Sequence, residues 1–100
     1  MFETVFEKQG TTLTAIPSER LDANTSGAFG DELFRQLDGI QDVIMDFEHV
    51  DYISSSGLRV IMGTVQRLDG IDGSVKVIHA SKAVKDVLEL SGFLAVVTVE

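Results

Sequence analysis

Residues 43–68 read Val43-Ile44-Met45-Asp46-Phe47-Glu48-His49-Val50-Asp51-Tyr52-Ile53-Ser54-Ser55-Ser56-Gly57-Leu58-Arg59-Val60-Ile61-Met62-Gly63-Thr64-Val65-Gln66-Arg67-Leu68, and two periodicities meet inside them. Val43–Met45 is a compact apolar run that continues through Asp46 to Phe47. With so little polar alternation it predicts a strand covered on both faces, as parallel strands are. From Leu58 the apolar residues fall at Leu58, Ile61, Met62, Val65 and Leu68, the spacing of one helix face, and Asp69-Gly70 ends the pattern. A strand, a polar connection and an amphipathic helix make half of a parallel crossover unit.

The flanks repeat the unit. Downstream, Ser74–Ile78 predicts a strand, and Val84, Val87, Leu88 and Leu90 predict a helix with Ser81 as its cap and Gly92 as its stop. A last strand is expected from Phe93 to Val99. Upstream, Phe29, Leu33 and Leu37, with Phe34 beside them, mark a helix face. Asp22, Asn24, Thr25 and Ser26 are candidate N-caps for it, and Gly39 suits its end. Thr4–Phe6 and the alternating stretch Thr11–Ile16 read as a hairpin, with Lys8–Gly10 as its turn and Pro17 closing the second strand. The order is β-β-α-β-α-β-α-β: an α/β fold with a mixed, mostly parallel sheet of about five strands and helices packed against it. No linker, repeat or low-complexity stretch divides residues 1–100, so a single domain is expected.

Composition narrows the function classes. The chain has 100 residues, 44% of them apolar, enough for an ordinary core. Eight basic against sixteen acidic side chains give a net charge of −8, a field that repels phosphate backbones and anionic bilayers. Most of it lies in residues 1–50, as a solvated face or as steering toward a basic partner. Without cysteine there is no disulfide frame, thiolate nucleophile or cysteine-ligated zinc. The longest apolar run, Phe93–Val97, is too short for a membrane span or a signal peptide, and a cytoplasmic protein is expected.

In open α/β sheets, sites gather beyond the carboxyl ends of the strands. That rule selects Ser54-Ser55-Ser56-Gly57-Leu58-Arg59, at the start of the central helix. One serine could simply cap the helix. A hydroxyl beside the positive end of a helix is also suited to carry a phosphate, and the adjacent glycine lets another backbone approach. Leu58 lies on the apolar stripe and Arg59 off it.

The run Asp46-Phe47-Glu48-His49-Val50-Asp51-Tyr52-Ile53-Ser54-Ser55-Ser56-Gly57-Leu58-Arg59-Val60 resembles the signature of STAS domains, the anti-sigma-factor antagonists of bacteria. Glu19-Arg20-Leu21-Asp22-Ala23-Asn24 is similar to the loop by which that family enters its first helix. The element order matches too, so the resemblance covers essentially the whole chain. It implies a regulatory switch and not an enzyme. The serine directly before the glycine, here Ser56, would be phosphorylated by a serine kinase of the histidine-kinase-like ATPase fold, with Ser55 the less favoured acceptor. The unphosphorylated form would bind that kinase or an anti-sigma-type regulator. A metal-dependent serine phosphatase would restore it. Asp22 matches a loop aspartate beside the phosphoacceptor. Asp22, Asn24, Ser54, Ser55, Gly57, Leu58 and Arg59 form the implied partner surface, with Asp51 adding repulsion toward a phosphate. Ser54 departs from the family pattern, which has aspartate there.

Other readings are weaker. Asp46 at a strand end suggests a receiver domain, but the acidic pair and lysine such domains need are missing. Gly-x-Ser-x-Gly and the P-loop lysine are absent. His49 and His79 have no partner visible in the sequence, so neither metal nor cofactor is expected. The alternative from another class is a constitutive STAS interaction scaffold that phosphorylation does not regulate.

Overall fold

A computed structural model describes all residues 1–100. Its elements are β1 (Thr4–Gln9), β2 (Thr12–Pro17), α1 (Ser26–Arg35), β3 (Asp42–Asp46), α2 (Ser55–Asp69), β4 (Ser74–Ile78), α3 (Lys82–Leu90), a 3-10 turn (Phe93–Ala95) and β5 (Thr98–Val99). The strands form one sheet in the order β1-β2-β3-β4-β5, with β1–β2 antiparallel and the other pairs parallel. This is the predicted α/β architecture.

The strand order explains where the helices lie. Each parallel connection steps one place in the same direction, and right-handed crossovers then put every helix on the same face. The register aligns Leu13 with Val43 and Val75, and Ala15 with Met45 and Val77. These six residues are at most 4% exposed and join Phe29, Leu33, Val60, Ile61, Leu68, Val84 and Leu88 in a single core. Thr12, Thr14, Ile44 and Lys76 point to the other face and are only half-buried. The expectation that Val43–Met45 is covered on both faces is therefore corrected, because sequential strand order leaves the second face without helices.

Three local expectations also change. β1 runs on to Gln9, so the hairpin turns on Gly10 and Thr11, with Gly10 at φ +63. A two-residue turn favours glycine with positive φ at its first position. α1 stops at Arg35, short of Leu37 and Gly39. The strand expected from Phe93 to Val99 is only Thr98–Val99, because Phe93–Ala95 coils and the Val97 N–H donates to the Phe93 carbonyl at 2.9 Å. Phe93 and Val97 enter the core while Leu94, Ala95 and Val96 stay exposed, a one-turn spacing that an extended strand cannot produce.

α3 ends and begins as its sequence predicts: Ser81 Oγ accepts from the Val84 N–H at 3.2 Å, an N-cap, and the helix closes at Leu90 before Gly92.

Candidate functional site

The parallel strands β2, β3 and β4 deliver three connections to the carboxyl end of the sheet: residues 18–25, 47–54 and 79–81. The first two are stitched together. The Leu21 N–H donates to the Tyr52 carbonyl at 3.0 Å, and the Ser54 N–H donates to the Leu21 carbonyl at 2.8 Å. These bonds make a one-residue parallel bridge between Leu21 and Ile53. Leu21 and Ile53 are buried, so the bridge is anchored in the core.

Gly57 explains how closely the two connections pack. A Cβ at this position would lie 2.7 Å from Ile53 Cγ1, 3.0 Å from Leu21 Cβ and 3.1 Å from the Leu21 carbonyl oxygen. Only glycine lets α2 start against the bridge without displacing it. Gly57 is buried, so its part is to seat the surface rather than to touch a partner with a side chain.

The residues flanking the bridge hold the loop before α1. The Asp22 carboxylate accepts from the Asn24 N–H at 2.9 Å and the Thr25 N–H at 3.2 Å. Thr25 Oγ1 accepts from the Asp22 N–H at 3.0 Å and donates to the Arg20 carbonyl at 2.6 Å. Of the four candidate caps of α1, Thr25 takes the N-cap position, yet its hydroxyl serves the loop and not the helix amides. Asn24 is exposed, and its side-chain amide is free. Arg20 reaches across the bridge, 3.4 Å from Asp51 and 5.7 Å from the centre of the Tyr52 ring. Such an exposed pair contributes ~0–1 kcal/mol, and it compensates part of the Asp51 charge expected to add repulsion toward a phosphate.

The three serines take different environments. Ser54 holds the N-cap position of α2 with extended backbone, but its hydroxyl makes no capping bond. Its Oγ is buried without a hydrogen-bond partner. Ser55 is exposed and Ser56 half-buried, and neither hydroxyl is engaged in a hydrogen bond within the chain. The capping explanation for the triplet therefore fails: the first amides of α2 are left without a side-chain acceptor, beside the positive end of a fifteen-residue helix. Leu58 is half-buried and packs against the core, and Arg59 is exposed. Asp22, Asn24, Ser54, Ser55, Ser56, Gly57, Leu58 and Arg59 thus belong to two adjoining connections and the first turn of α2.

Sequence reasoning missed one pair. His79 Nδ1 lies 2.9 Å from Asp46 Oδ1, across 33 residues of chain. The signal was available in the strand pattern: Asp46 ends β3, His79 follows β4, and adjacent parallel strands place such ends side by side. His79 lines a cleft of about 330 Å³ that is also bordered by Glu19, Arg20, Glu48, His49, Asp51 and Ser81. The hydrogen bond to Asp46 and its negative charge, with a smaller push from Glu48, hold the His79 pKa above the ordinary 6.5. A raised histidine pKa means that the pair's contribution is fully present below pH 6.5 and fades as pH rises through the folded-state value. In a proton NMR titration of the metal-free protein, the His79 imidazole should titrate above 6.5, and Asp46→Asn should bring its midpoint down. An unchanged midpoint in Asp46→Asn would show that the contact does not form in solution.

The family model of the STAS domain matches residues 4–100. A Bordetella bronchiseptica protein that carries the name anti-sigma factor antagonist BtrV is 38% identical over 66 residues, which take in 65% of this chain and 57% of that relative. The match thus spans little more than half the length of the relative. Among solved structures, an anti-sigma factor antagonist of Thermotoga maritima superposes with a TM-score of 0.89 at 17% identity, over 96% of this chain and 84% of that one. The anti-sigma factor antagonist SpoIIAA in its unphosphorylated form gives a TM-score of 0.83 at 18% identity, over 100% and 88% of the two chains. The phosphorylated form of SpoIIAA, from Bacillus, gives 0.77 at 17% identity, over 98% and 91%. At these identities the structures speak for the shared fold, whereas the family match rests on sequence along nearly the whole chain. The chain belongs to the STAS domain family.

Proposed function

We propose that this chain is a phosphorylation-controlled protein-interaction module. Its unphosphorylated form binds a serine kinase or anti-sigma-type regulator of the histidine-kinase-like ATPase fold, and phosphorylation of Ser56 breaks that complex. A metal-dependent serine phosphatase returns it to the binding state.

The observation that carries this reading is the Ser56 hydroxyl: half-exposed, in the first turn of α2, and free of any bond within the chain. A phosphate there would meet the unpaired first amides of α2, so the domain itself tolerates it. A docked partner would have to desolvate the same group, which carries about −1.5 to −2 charge. Asp22 and Asp51 add negative charge on the two adjoining connections. SpoIIAA, which shares the fold, has been solved in both phosphorylated and unphosphorylated forms, in keeping with a fold that accommodates the modification.

Intact-mass measurement on protein purified from its host tests the proposal. One phosphate should be present, vanish on phosphatase treatment, and be missing in Ser56→Ala. A phosphate that persists in Ser56→Ala moves the acceptor to Ser55 or Ser54. No phosphate under any growth condition favours the constitutive scaffold.

A further inference from the structure

We propose that Asp46, Glu48 and His79 form a binding site for one divalent transition-metal cation, represented by Zn²⁺. The site is separate from the serine switch and does not depend on it.

The fold builds the cluster from two neighbouring strand ends. β3 and β4 pair in register through Asp46 and Ile78, and the Phe47 N–H extends the ladder to the Ile78 carbonyl at 2.9 Å. His79 is therefore the first residue past β4, level with the turn that follows β3. The chain reverses there because Asp46 Oδ1 accepts from the Glu48 N–H at 3.1 Å, which returns the Glu48 carboxylate toward the same cleft. The candidate ligand atoms of the three side chains lie within 4.8 Å of one another. Three atoms so placed lie within about 2.8 Å of a common point, against bonds of ~2.0–2.2 Å to zinc, so each needs to close by less than about 0.8 Å. Glu48 and His79 are exposed and free to make that adjustment.

The Asp46–His79 contact by itself does not account for the third member. The Glu48 carboxylate has no hydrogen-bond or ion-pair partner, although it lies within 4.8 Å of the ligand atom of Asp46. Two carboxylates converging on one imidazole make a mixed oxygen and nitrogen donor set with a charge that a dication offsets. Imidazole directs such a set toward zinc and its neighbours rather than toward magnesium or calcium, which take oxygen ligands. Glu19 and Asp51 border the cleft, and Arg20 is drawn onto Asp51, so the entrance stays net acidic. The open side of the cleft leaves room for water to complete the coordination.

Calorimetric titration of the full chain with zinc chloride, alongside NMR of the His79 ring, tests the site. Saturable one-to-one binding with a shift of the His79 resonances is expected. His79→Ala and Glu48→Gln should each weaken binding by at least the ~10–100-fold that loss of an outer-shell partner costs. Both positions are exposed, so both variants should stay folded, as circular dichroism would show. His49→Ala, in the same cleft but outside the cluster, should bind as the unsubstituted protein does. Absence of saturation overturns the proposal, as does undiminished binding in His79→Ala. Equal affinity for magnesium would also overturn it, since the imidazole would then contribute nothing.

Discussion

Ser56→Asp should keep its fold and lose its partner. A charge in the first turn of a helix interacts with the dipole by only ~0.3–1 kcal/mol. At ~4–8 °C per kcal/mol for a domain of this size, the melting temperature should move by no more than about 8 °C. The interface is another matter. A carboxylate buried against a partner, on a surface whose adjoining connections also carry Asp22 and Asp51, must lose its water and meet its own sign of charge. A loss of about 3–4 kcal/mol weakens binding several hundredfold. Ser56→Ala should bind as tightly as the unmodified protein and stay bound in the presence of ATP. The measurement is a pair of dissociation constants for the partner captured with Ser56→Ala, with circular dichroism as the check on folding. Comparable constants for the Asp and Ala variants would contradict the mechanism. A collapse of the Ser56→Asp spectrum would place the serine in the structural frame instead.

Ile61→Asp should not fold. Ile61 is fully buried on the face that α2 turns toward the sheet. Removing the side chain's packing costs ~2–5 kcal/mol, and a carboxylate sealed there without a partner adds several more. Together these rival the whole stability of a small domain, ~5–15 kcal/mol. The expected result is loss of the cooperative thermal transition. Ile61→Val, which removes one methyl group, should cost only ~0.5–1.5 kcal/mol and retain it. A native spectrum and normal melting in Ile61→Asp would mean that the assigned helix face is wrong.

Much of this architecture is readable from residue spacing because the patterns are local. Leu58, Ile61, Met62, Val65 and Leu68 state their helix without help from the rest of the chain, and Ser81 states the start of α3. The misreadings arise where a local pattern has two solutions or where a distant element decides. Phe93–Val97 is as apolar as a strand, but only Phe93 and Val97 find room in the core, and the backbone coils to bring both inward. Val43–Met45 carries apolar residues on both sides, yet strand order, which no stretch of β3 encodes, leaves Ile44 half-open.

The same distinction divides the site. Ser54–Ser56 and Gly57 are contiguous and visible as a motif. That Gly57 seats against Leu21, 36 positions earlier, depends on the Leu21–Ile53 bridge. The pairing of Asp46 with His79 depends on the β3–β4 register in the same way. Three serines at a helix start fit a cap as well as a switch, and only the side-chain geometry shows that the Ser54 hydroxyl at the N-cap makes no capping bond. Hydroxyls left over by the fold are what make a switch at this point physically economical, since a modification there breaks no existing bond.

The most direct measurement compares one polypeptide in two states. The chain is phosphorylated by its partner kinase, the modified residue is located by fragmentation mass spectrometry, and the dissociation constant for the partner is measured before and after phosphatase treatment. The account predicts a single phosphate on Ser56, a several-hundredfold weaker complex, and full recovery once the phosphate is removed. Equal affinities for the two forms, with Ser56 fully modified, would contradict it.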